Sequence, residues 1–181
     1  MFSYENFTAL QEYYSIAVLP VYFIALFISW KNINFRYLIS MLIAIELFDS
    51  ATYLHIVPLG SVYYLWGAFV CALFIIPVMG RRLIAGKLES KFAFFKQAKE
   101  SYHFTKQEGG LLFLYFLTAI TFLITFVEIS LYKIQLTSGV PFRIHMYGPF
   151  HTLISFFELF LVISMVVGNK TRQEEGHHNF A

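Results

Sequence analysis

Charge is what this chain of 181 residues has least of. Aspartate, glutamate, lysine and arginine make up 13% of it, against 58% hydrophobic and 20% aromatic residues. A soluble domain averages roughly a quarter charged and under half apolar. A globule of ~180 residues still exposes much of its surface, so the apolar excess must face something other than water. The shortage excludes a soluble enzyme, a disordered chain and a nucleic-acid-binding domain, and it points to an all-α polytopic integral membrane protein. Cysteine is nearly absent: Cys71 is alone, inside an apolar run, so no intrachain disulfide is expected. No basic residue precedes Lys31, and the leader MFSYENFTALQE carries Glu5 and Glu12 instead. A secretory signal needs a positive region ahead of its apolar run, so the first run is expected to be retained as a helix inserted N-terminus outward. A nucleophile elbow, a P-loop, a dinucleotide glycine fingerprint, a paired CxxC and a lipidation motif are all missing.

What is present is a series of long apolar runs. About 20 mostly apolar residues cover a ~30 Å hydrocarbon core, and five segments qualify: residues 13–30, 37–57, 60–79, 111–132 and 146–167. They run continuously apolar, unlike the alternating strands of a membrane barrel. The expected fold is a single domain, residues 1–181, of five transmembrane helices. The connection near Pro58 and Leu59 is so short that spans two and three form a tight antiparallel hairpin. Tyrosines and tryptophans gather near the span ends, as an interfacial belt requires (Tyr13, Tyr14, Trp30, Tyr37, Tyr53, Tyr63, Tyr64, Trp66, Tyr132 and Tyr147).

Basic residues give the orientation. Lys31, Arg36, Arg81, Arg82, Lys87, Lys91, Lys96, Lys99, Lys106, Lys170 and Arg172 share one side of a five-span chain; only Lys133 and Arg143 fall on the other. Lysine and arginine collect on the cytoplasmic side, which places the N-terminus outside and the C-terminus in the cytoplasm of a cell whose plasma (inner) membrane holds the protein. Residues 80–110 form the main cytoplasmic connection. There Ile84, Leu88, Phe92, Phe95 and Tyr102 recur at helical spacing among lysines, the pattern of a basic amphipathic helix lying on anionic inner-leaflet lipids. Gly109 and Gly110 are expected to break that helix before span four, and residues 169–181 to form a disordered tail.

Scarce as acids are, four of the eleven fall inside predicted spans: Glu46, Asp49, Glu128 and Glu158. An ionisable group at the bilayer centre costs about 2.5–3.5 kcal/mol on insertion scales and generally faces the bundle interior. Three spans carry polar stripes at helical spacing. Span two has Glu46, Asp49, Ser50 and Tyr53. Span four has Tyr115, Thr118, Thr121, Thr125, Glu128 and Tyr132, and span five has His151, Ser155 and Glu158. Spans one and three carry almost none, so spans two, four and five are expected to turn their stripes against one another.

Glu46, Asp49 and Glu158 then form a midplane acid layer, with Glu128 and His151 as the outer access. Carboxylates crowded in a medium of low dielectric cannot all ionise cheaply and titrate as a set. That suits proton or small-cation translocation, with Glu46, Asp49 and Glu158 as exchanging groups, Glu128 and His151 beside them, and Ser50, Tyr53, Tyr115, Thr118, Thr121, Thr125 and Ser155 lining the path. Two other uses remain open. One is a non-catalytic subunit, sensor or effector, whose stripes bind a membrane partner or a second copy. The other is an intramembrane metal-dependent enzyme built on His55, Glu128 and His151, a two-histidine, one-carboxylate set suited to zinc or iron. Apart from that metal ion, no cofactor is expected, and nucleic acid is not a partner.

Overall fold

The computed structural model describes residues 4–88 and 104–178. Among them every regular element is helical, and no strand occurs. In chain order these are α1 (Tyr4–Ile28), α2 (Ile33–Ile56), a 3-10 turn (Val57–Leu59), α3 (Val62–Met79), α4 (Arg81–Leu88), α5 (Lys106–Lys133), a π-helical turn (Arg143–Tyr147) and α6 (Gly148–His178). Four helical segments are long and apolar enough to cross a membrane: Ile33–Leu59, Val62–Met79, Lys106–Lys133 and Arg143–Gly168. The apolar part of α1, Tyr13–Ile28, is shorter.

Local chemistry sets the helix ends. Asn32 holds an extended backbone, and its side-chain oxygen accepts from the amides of Asn34 (3.1 Å) and Phe35 (3.4 Å), starting α2. Gly60, at φ 66°, closes the hairpin between α2 and α3 in a conformation that costs glycine little. Thr105 and Glu108 start α5 with a reciprocal capping box. That box overrides the expected break: Gly109 and Gly110 both lie inside α5. At Gly110 an added Cβ would sit 2.9 Å from Leu161 Cδ1, so the missing side chain lets α6 approach. At the other end α6 runs on to His178, into residues expected to form a disordered tail. Lys170, Arg172, Gln173, Glu174 and Glu175 are good helix formers, which explains the extension. Of the amphipathic connection, α4 covers Ile84 and Leu88, whereas Phe92, Phe95 and Tyr102 lie outside the described residues.

The helices pack in a closed ring. α1 lies against α2 and α6, α2 against α3, α3 against α5, and α5 against α6. Spans four and five (α5 and α6) pack together as expected, but the expectation that span two packs directly on them is corrected: α1 and α3 lie between α2 and that pair. The short links after α1 and α2 make α1, α2 and α3 sequential neighbours, which leaves α1 between α2 and α6, and α3 between α2 and α5. One apolar cluster fills the end where α2 and α5 begin, with Val18, Leu38, Leu42, Phe74, Val78, Leu111, Val162 and Met165 among its members. A smaller, aromatic one lies nearer the opposite end, built on Tyr64, Cys71, Phe122, Ile129 and Tyr147.

The α3–α5 seam depends on Gly67. A Cβ there would lie 2.5 Å from Phe122 Cζ, and the Phe122 ring is itself held by Tyr63, Tyr64, Tyr147 and His151. Gly67→Ala is expected to destabilise the bundle by about 1–3 kcal/mol, the usual cost of overpacking. Thermal unfolding in detergent should show the loss, and Phe122→Leu in the same chain should recover most of it.

Candidate functional site

Glu158 lies in α6, ten residues before Gly168 and therefore ~15 Å from that end of the apolar segment. Two phenols from other helices meet its carboxyl group. The hydroxyl of Tyr22 in α1 donates to Glu158 Oε1 at 2.7 Å, and that of Tyr115 in α5 donates to the same oxygen at 2.8 Å. One atom thus ties α1, α5 and α6 together. Tyr22 is 1% exposed. Tyr115 is fixed from its other side by Phe74 of α3, with ring centres 4.0 Å apart and planes at 27°.

The two acids of α2 lie near this point. Glu46 of α2 interacts electrostatically with both Glu158 and Asp49, and Tyr14 of α1 with Glu158 and Glu46. Cys71 of α3 is buried within range of Glu158 and Asp49. Asp49 faces the indole of Trp66, which is packed by Phe48 and Phe69 at ring distances of 5.5 and 5.3 Å. The Trp66 Nε1–H is buried and closes no hydrogen bond among the described residues. All five ring helices therefore contribute to one polar cluster inside an apolar bundle.

The remaining expected site residues are arranged otherwise. Thr118, Thr121 and Thr125 donate to the carbonyls of Leu114, Leu117 and Thr121, each four residues back, at 2.8–2.9 Å. Ser155 does the same to His151. These hydroxyls spend their protons on their own helix, leaving only their lone pairs for a water file. Glu128 accepts from the backbone amides of Phe142 (2.7 Å) and Arg143 (2.8 Å), one on each oxygen, and so caps the helical turn that leads into α6. His151 is set against the rings of Phe122 and Tyr147. Ser50, Tyr53 and His55 are exposed on α2, and Tyr53 meets Tyr63 edge to face. His55, Glu128 and His151 do not converge, and no group of three metal-ligating side chains forms among the described residues.

Sequence reasoning missed two features. One is the inward face of α1: Tyr14 is expected in the interfacial belt and Tyr22 carries no expectation, although Tyr14, Val18, Tyr22, Ala25 and Ser29 recur at steps of four and three and mark that face. The second feature is a buried ion pair. Arg81 and Glu108, 1% and 2% exposed, approach to 3.8 Å. The Arg81 guanidinium lies 4.2 Å over the Tyr37 ring and donates to the Ile33 carbonyl at 3.5 Å, while the Tyr37 hydroxyl donates to the Pro77 carbonyl at 3.4 Å. Arg81 counted only as a topology marker, and Glu108 fell outside the predicted span.

A ring of helices, four of them membrane-length and apolar, around a shared cluster of carboxyls and phenols is compatible with an integral membrane protein. No family model, no curated protein and no solved structure matches the chain.

Glu128→Ala removes both acceptors for the amides of Phe142 and Arg143. It is expected to cost about 1–3 kcal/mol, the penalty for donors left without partners. The lowered unfolding temperature in detergent is the check, and Glu128→Gln, which keeps one acceptor oxygen, should lose less.

Proposed function

We propose that the protein is a five-span integral membrane protein of the plasma (inner) membrane that moves protons or small cations through its carboxyl-lined centre. The observation that carries this reading is the double hydrogen bond to Glu158, with Glu46 and Asp49 close by on α2. Ionisable residues in a bundle interior mark ion pathways by default, and three acids at similar depth cost more than helix packing alone repays.

α1 is the fifth span in this reading. Its role is supported by the inward placement of Val18, Tyr22 and Ala25, all at most 3% exposed. The N-terminus is outside and the C-terminus cytoplasmic. The bias of lysine and arginine toward one side supports that orientation. Protons enter from the outer half, where Asp49 and Glu46 are reached first. They pass to Glu158, whose phenol partners steady it in either state. Anionic lipids of the inner leaflet hold the basic connection.

The test is pH-dye flux in reconstituted vesicles. Glu158→Gln and Glu46→Gln are each expected to lower proton flux about a hundredfold or more, the scale on which positioned proton-transfer groups act. Equal flux in wild type and variants, or none in any of them, would overturn translocation and leave the protein as a non-catalytic membrane subunit.

A further inference from the structure

Between the acid cluster and the cytoplasmic end lies a buried apolar layer. Leu38 and Leu42 of α2, Phe74 and Val78 of α3, Leu111 of α5 and Met165 of α6 are each at most 1% exposed. Beneath it sits the Arg81–Glu108 pair, bound to α2 through Tyr37 and the Ile33 carbonyl. The pair thus joins α2, the α3–α4 junction and the start of α5. The layer and the site share a part, because Phe74 stacks on Tyr115 and Tyr115 bonds to Glu158. Movement of α5 at its first turn would be felt at the carboxyl.

We propose that the Arg81–Glu108 pair is the latch of an inner gate, holding the apolar layer shut so that the acid cluster is cut off from the cytoplasmic end in this state. The inference rests on the translocation reading and adds its sidedness. Two physical points carry it. A buried ion pair is a poor stabiliser compared with an apolar replacement, yet costly to break one-sidedly, and its best-attested use is to select one of two arrangements. This one lies where it can open. Arg81 opens α4 and Glu108 belongs to the first turn of α5, so on separation each charge reaches the membrane surface instead of staying buried and alone.

Cys71 is a built-in reporter. It is the only cysteine, it is 4% exposed, and it lies ten residues before Arg81, ~15 Å deeper along α3 and at the level of the acids. The experiment measures its labelling by a membrane-impermeant cationic methanethiosulfonate applied to one face of sealed vesicles. A C-terminal epitope tag identifies the face. Wild type is expected to label slowly from the tagged face. Glu108→Gln should label about tenfold faster from that face alone, the population shift that 1.4 kcal/mol produces.

Glu108→Asp, which keeps the charge and the cap, should fall between them and serves if Glu108→Gln does not fold. Exchanging the charges (Arg81→Glu with Glu108→Arg) should restore slow labelling. Unchanged rates in Glu108→Gln and Glu108→Asp, or equal acceleration from both faces, would overturn the latch. Thiol access is read independently of flux. A chain whose Cys71 responds to position 108 but which carries no protons keeps the latch and loses translocation; flux with an indifferent Cys71 does the reverse.

Discussion

A carboxyl group in an apolar bundle needs its partners supplied by the protein, and here Tyr22 and Tyr115 supply them to a single oxygen of Glu158. That convergence sets the rest. It requires α1 and α5 to flank α6, it puts Phe74 behind Tyr115, and it draws the α2 acids toward the same point. Elsewhere in the bundle the same constraint is met locally. Threonine and serine hydroxyls bond back to their own helix, Glu128 caps the chain leading into α6, and Arg81 meets Glu108 and the Tyr37 ring. Where water is scarce, each polar group must be matched inside the protein, and most of the tertiary polar contacts follow from that.

The two halves of the bundle solve the problem differently. Toward the end where α2 and α5 begin, aliphatic side chains with Phe74 close the interior, and one ion pair lies beneath them. Toward the other end the filling is aromatic: Tyr63, Tyr64, Phe122, Tyr147 and His151 meet at ring distances of 5.2–6.5 Å. The first filling is almost wholly apolar, whereas the tyrosines of the second bring hydroxyls into the interior. The acids lie between the two, which makes the bundle polar in direction as well as in content.

Much of this was legible in the sequence, because hydrophobic run length reports helices that must be apolar on most sides. Glu46, Asp49 and Glu158 stood out because charge in such runs is rare, and they do share one region. The partners of Glu158 were harder to read. A tyrosine in an apolar run has the same composition signature whether it faces lipid, an interface or a buried acid, and only the Tyr14–Val18–Tyr22 spacing distinguished the face. Neighbour order was illegible, since stripes on α2, α5 and α6 say which sides point inward but not that α1 and α3 separate α2 from the α5–α6 pair. Arg81 and Glu108 were hidden for another reason. Both sit at helix starts, where charge is ordinary, and their pairing across 27 positions leaves no local pattern. At Gly109 and Gly110 the capping box of Thr105 and Glu108 outweighs the backbone cost of glycine.

If the bundle moves protons, Glu158 gains and loses one inside it. Infrared difference spectroscopy of the purified protein, recorded over a broad pH series, observes that event as the carbonyl stretch of a protonated carboxyl. The band should change with pH in wild type, vanish in Glu158→Gln and shift when Tyr22→Phe and Tyr115→Phe remove its hydrogen bonds. A carboxyl band that is indifferent to pH, or one that persists unchanged in Glu158→Gln, would contradict the account.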